Sequence, residues 1–203
     1  MKDWREPVAL LCLALLALVI SGIHPHDRLT WVLEILPVVI GIPILVATAR
    51  RFPFTRLAYR LIFAHAILLM AGGHYTYELV PLGEYMRAAL GLARNDYDRL
   101  GHFAQGFVPA IIAREVLVRL SVVKRGGWLF LFVTAICLSF SALFEMVEWT
   151  AATLLGADAN AYLATQGDPW DTQWDMFLAL VGAITAQILL GSVHDAEMRE
   201  RAA

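Results

Sequence analysis

Six stretches of this chain are each apolar for about as long as a helix needs to cross a lipid bilayer, and that pattern removes most soluble architectures at once. The runs lie at about 8–23, 29–49, 57–77, 102–120, 128–155 and 175–193, separated by short polar segments. A bilayer core about 30 Å thick takes roughly 20 helical residues to cross. Within it every backbone N–H and C=O must find a partner inside the protein, which a helix provides. With 59% of its 203 residues hydrophobic, the chain is too apolar for an ordinary soluble domain. The expectation is an all-α polytopic membrane protein, a bundle of about six transmembrane helices forming a single integral membrane domain over 1–203.

Charge sets the orientation. The segment RRFPFTRLAYR carries Arg50, Arg51, Arg56 and Arg60 with no acid, and the end of the fourth run carries Arg114, Arg119, Lys124 and Arg125 beside Glu115. Basic residues flanking spans mark the cytoplasmic side, which puts both termini there in a six-span chain. The loops at 80–101 and 156–174 then lie outside, the second with Asp158, Asp168 and Asp171 and no Lys or Arg. The charged start before the first run resembles a signal peptide. Its bases are matched by acids and no small-residue cleavage pattern follows, so an uncleaved first span is expected. These features predict a multi-pass membrane protein whose first partner is the lipid bilayer. A formal net charge of −2 with no basic stripe argues against a nucleic-acid partner.

Local signals refine the runs. Pro37 and Pro43 in the second run remove backbone donors and predict a kink. A short surface helix is expected over 83–92, ended by Gly91 or by the Asn95-Asp96 turn. Cys12 and Cys137, deep in apolar runs without a CxxC pattern, read as packing residues.

Polar residues then stand out where lipid would demand apolar ones. In NDYDRLGHFAQGFVP, residues 95–109, Asp98, His102, Gln105 and Pro109 fall at i, i+4, i+7 and i+11 and share a helix face. Glu145 and Glu148 are three apart inside an apolar run, and Asp171 and Asp175 are four apart at the head of the last run. With a helical rise of about 1.5 Å per residue, these groups collect with Glu34, His74 and Glu78 in the outer half of the bilayer. One leaflet is thus expected to receive nearly all the chemistry.

A carboxylate in hydrocarbon costs on the order of 2.5 to 3.5 kcal/mol on insertion scales, so something must offset it. Protonation of one glutamate, a cation such as Arg99 or protonated His102, or a bound divalent metal would each serve. His102, Glu145, Glu148 and Asp175 are the candidate acid–base residues. His74, Tyr77, Asp98, Arg99, Gln105, Asp168 and Asp171 are candidate substrate contacts. His102, Glu148, Asp171 and Asp175 are candidate ligands for a divalent ion, and an oxygen-rich set with one imidazole suits magnesium, manganese or zinc. Blander readings stand beside these. Tyr75 and Tyr77 suit interfacial anchors. Asp171 and Asp175 suit the positive end of a helix dipole. The two glutamates could be an interhelical clamp, and His65 an interhelical hydrogen bond. No HExxH, GxSxG or P-loop pattern is present.

The stretches HYTYE at 74–78, NDYDRLGHFAQGFVP at 95–109, SALFEMVEW at 141–149 and QGDPWDTQWDM at 166–176 resemble the bacterial inner-membrane family typified by YjdF. A more distant similarity is to VanZ-like membrane proteins, with Asp98-Arg99 and His102-Phe103, then Glu145 or Glu148, then Asp171 with Asp175 standing for that pattern. Here Arg99 replaces a lysine and no arginine closely precedes Asp171. Both resemblances imply a cell-envelope setting without assigning a reaction. Three functions remain open: an outer-leaflet enzyme acting on a lipid-linked or phosphorylated substrate, a non-catalytic binder or transporter of an amphipathic ligand, and an accessory protein whose polar groups lock helices together.

Overall fold

A computed structural model describes residues 4–155 and 165–202; Asp158 lies outside the described residues. The elements are α1 (Arg5–Ser21), α2 (Arg28–Glu34), α3 (Leu36–Thr48), α4 (Arg56–Tyr75), a single 3-10 turn (Tyr77–Leu79), α5 (Pro81–Leu90), α6 (Tyr97–Arg119), α7 (Gly127–Leu155) and α8 (Asp171–Ala202). Among the described residues there is no strand, as expected of an all-α membrane protein. Four segments are long and apolar enough to cross a membrane: Arg28–Thr48, Arg56–Tyr75, Gly127–Leu154 and Asp171–Arg201. At 17 residues α1 is slightly short of that standard, and α6 carries a polar face. The protein is an all-helical, multi-pass membrane protein.

The second run is interrupted for one residue, Ile35, which is the kink its prolines predict. Pro37 has no N–H and crowds the carbonyl four residues back, so α2 stops at Glu34 and α3 restarts at Leu36. Pro43 is accommodated inside α3 without a second break. The break matters because it leaves Glu34 buried in the bundle. The surface helix α5 starts and ends two residues earlier than expected, stopped by Gly91 in the left-handed conformation at φ 67°. Two helices start further upstream than hydropathy suggests. For α6, the Asn95 side chain accepts the Tyr97 N–H at 3.1 Å and donates to the Val80 carbonyl at 3.1 Å, so the turn begins at Tyr97. For α8, the helix begins at Asp171 and continues to Ala202, past the apolar run.

Ion pairs show which ends lie together. Glu6 at the start of α1 pairs with Arg56 and Arg60 at the start of α4. The Leu57 N–H donates to Glu197 near the end of α8 at 2.9 Å, and Arg119 at the end of α6 donates to the Pro53 carbonyl at 2.6 Å. The starts of α1 and α4, the ends of α6 and α8 and the arginine-rich loop therefore share one end of the bundle.

The core is a seam between α6 and α8, which run parallel. Ala110, Ile111, Ala183 and Ala186 are fully buried there, with Val133 and Cys137 of α7. Small residues allow this closeness: Gly106 lies directly against the Ala179 carbonyl and Gly182 against the Phe103 carbonyl, so a side chain at either glycine has no room. Cys137 is a packing residue as expected. Cys12 is not in the interior; it sits exposed on α1.

Candidate functional site

The α6–α8 seam brings the starts of both helices side by side, and with them the polar face of α6. His102 is the hub. Its Nδ1 lies 2.9 Å from Gln105 Oε1 and 3.8 Å from Glu145 Oε1 of α7. Its Nε2 lies 3.5 Å from Asp98 Oδ1 and 3.8 Å from Asp175 Oδ2. An amide oxygen can only accept, so Nδ1 carries the hydrogen and donates to Gln105. In the neutral ring, Nε2 then presents its lone pair between two aspartates.

Asp98, His102 and Asp175 each offer one donor atom, and those atoms lie within 4.8 Å of one another. Asp175 Oδ1 and Glu145 Oε1 are buried without a hydrogen-bond partner. Buried polar atoms are rarely left so, because each costs about 1–3 kcal/mol. An imidazole whose second nitrogen is held by a neighbour is the usual arrangement for a metal ligand. The donor set therefore suits a hard or borderline divalent cation.

A cavity of about 710 Å³ opens from this cluster. Glu34, Asp98, His102 and Glu148 line its polar end together with Tyr77. Its walls are otherwise almost wholly apolar, with His65 of α4 part-way along and His65 Nε2 unpartnered. Pro109 in the floor leaves the Gln105 carbonyl without its helical donor.

The sequence-derived candidates divide into three groups. Asp98, His102, Gln105, Glu145, Glu148 and Asp175 come together as described, and Tyr77 joins them at the cavity wall. Arg99, Asp168 and Asp171 belong to an adjoining ion-pair network instead: Arg99 reaches Asp168 at 2.9 Å and Asp96 at 3.2 Å, and Arg94 reaches Asp171 at 2.7 Å. This network ties the segment before α8 to the start of α6. His74 lies elsewhere, with Nδ1 2.9 Å from the Ser21 carbonyl, where it joins the end of α4 to the end of α1. The compact three-donor group thus contains Asp98, and Asp171 is taken up by Arg94. Arg94 sits in a loop whose charges balance, and Asp96 read only as part of a turn, so neither stood out as a site residue. Glu34 was visible as an acid in an apolar run, and only the helix break aims it into the cavity.

The expectation that one end would hold nearly all the polar chemistry is corrected by a second buried cluster at the other end of the seam. Glu115, fully buried, accepts from the Thr55 N–H at 3.0 Å, the Thr55 hydroxyl at 2.7 Å, Arg119 at 2.6 Å and His194 Nε2 at 3.0 Å. Arg114 pairs with Asp195 at 2.9 Å and lies 3.4 Å from His194 Nδ1. Sequence alone read Arg114 and Glu115 as charges at a span end, and passed over His194.

Residues 6–196 match the family described as "Predicted membrane protein (DUF2238)". The chain belongs to that family. A relative is the "Inner membrane protein YjdF" of Escherichia coli (strain K12), 51% identical over 184 residues, which cover 91% of this chain and 88% of the relative. No solved structure matches the chain. Membership of this family and the apolar spans make the chain an integral, multi-pass protein of the inner membrane, as the resemblance to the YjdF-type family implied.

Proposed function

We propose that the His102 cluster is a periplasm-facing site that takes a divalent cation through Asp98, His102 and Asp175 and uses it to bind or act on an envelope lipid or lipid-linked substrate. The observation that carries this reading is the three-donor group with an unpartnered Asp175 oxygen, at the mouth of an apolar cavity. Glu145 and Glu148, one helical turn apart, are the groups placed to exchange protons there. Orientation is argued from the basic loops. Arg50, Arg51, Arg56 and Arg119 gather at the opposite end, together with the start of α1 and the end of α8, and the positive-inside rule puts that end in the cytoplasm. The same argument supports six spans in one membrane domain.

A divalent cation at the site would supply charge for an anionic head group and an electrophile for its oxygens. The protein's own part is to fix the imidazole through Gln105, hold two carboxylates against it, and keep the surroundings dry. The test is metal analysis with Mn²⁺ titration followed by electron paramagnetic resonance, on full-length protein in detergent. One ion per chain is expected in the wild type. His102→Ala and Asp175→Asn should each weaken Mn²⁺ binding by about 100-fold, as loss of a ligand costs at least as much as loss of its supporting partner. Absence of stoichiometric metal binding in the wild type would overturn the reading.

A further inference from the structure

Resting on that reading, we infer that the apolar part of the ligand is one unbranched-path hydrocarbon chain longer than a single leaflet, as in a polyprenyl phosphate, and not a pair of phospholipid acyl tails. The cavity is floored by one continuous stripe of α6, on which Asp98, His102, Gln105, Pro109, Ala113 and Val116 follow one another turn by turn. It continues to Leu117. From Asp98 to Leu117 the helix rises about 28 Å. Half of a 30 Å bilayer core is only about 15 Å, so a tail anchored at the polar end and filling the cleft must run well beyond its own leaflet.

Length also tells against a phospholipid, whose acyl tails are matched to one leaflet of about 15 Å. The carboxylates lining the cavity are confined to one end, and beyond them the walls are Ile112, Val116, Ile136 and Phe140. Polarity therefore fixes the head at the His102 end and the tail along α6. On α7, Phe140, Leu143 and Val147 line the cleft while remaining exposed, so it opens sideways toward lipid and a tail can enter without crossing the polar site.

The experiment uses full-length protein in detergent and native mass spectrometry. Probes are a long polyprenyl phosphate, a farnesyl phosphate of about one-leaflet reach, phosphatidylglycerol, and the long polyprenol and farnesol, both without phosphate. The long polyprenyl phosphate should bind at least about tenfold more tightly than farnesyl phosphate, a ratio that loss of two buried methylenes would already produce. Ala113→Trp and, separately, Ile136→Trp should erase that ratio and leave Mn²⁺ binding unchanged, which also shows that each variant is folded. Equal affinity for the long and short chains, or preferential retention of phosphatidylglycerol, overturns the inference while leaving the metal reading intact if Mn²⁺ still binds. If Mn²⁺ does not bind, the metal reading fails, and the affinity ratio of the long polyprenol to farnesol, both without phosphate, still decides the tail.

Discussion

The two polar clusters at opposite ends of the α6–α8 seam are built on the same pair of helices, and they differ in charge balance. At one end Glu115 and Asp195 meet Arg114, Arg119 and Arg125, and His194 bridges Arg114 and Glu115. Arginine cannot accept a hydrogen bond, so His194 Nδ1 is the acceptor and Nε2–H donates to Glu115. Every group there has a partner that suits it. At the other end Asp98, Glu145, Glu148 and Asp175 face one histidine; Arg94 approaches Asp98 only at 3.8 Å and is hydrogen-bonded to Asp171, and Arg99 is engaged with Asp96 and Asp168. Completeness marks a lock, and a deficit of positive charge marks a place made for something else.

The comparison breaks first at Glu115. Removing one member of a buried ion pair strands the others, so Glu115→Ala should cost about 3–5 kcal/mol, read by chemical unfolding in detergent. A loss below about 1 kcal/mol would deny the lock, since exposed pairs are worth no more than that. Next comes the seam itself. Gly106→Val must push the Ala179 backbone aside and should cost about 1–3 kcal/mol, lowering thermal stability and Mn²⁺ affinity together because both clusters depend on this contact.

A smaller effect is expected outside the spans. Asp27 caps α2 by accepting the Thr30 N–H at 2.7 Å, and Asp27→Ala should cost about 1 kcal/mol. That hydrogen bond from the Thr30 backbone holds the Asp27 carboxyl below its ordinary 3.8. A depressed folded value means the contribution is present above that range and is lost as pH falls through the folded value. Wild type and variant should therefore converge in stability below about pH 3.8 and separate at neutral pH. The smallest shift belongs to Asp175→Asn. Removing a charge from an over-acidic buried site relieves repulsion between carboxylates, so metal-free stability should hold or rise, in contrast to Glu115→Ala.

How far sequence carried the fold and the site follows from which distances are local. Asp98, His102 and Gln105 are spaced by whole turns of one helix, and so are Glu145 and Glu148, so each face was legible from periodicity alone. The spans themselves were legible because lipid imposes a length on them. The union of Asp98 with Asp175 was not, since it depends on the axial offset of α8 along α6, which Gly106 and Gly182 set by backbone contact. The inner cluster was hidden for a related reason. Charges at span ends are commonplace, and nothing near Glu115 in sequence announces that Thr55 and His194 will close around it.

The glycine contact at mid-seam has a mechanical corollary. Where two helix backbones touch with no side chain between them, neither can slide along the other without collision, and the joint behaves as a fulcrum. A change of spacing between Asp98 and Asp175 on ion uptake must then be met by tilting about that point, which moves the far ends of the same helices. The Arg114–Asp195 pair lies on that far arm, so loading of one membrane face would be felt as torque at the other.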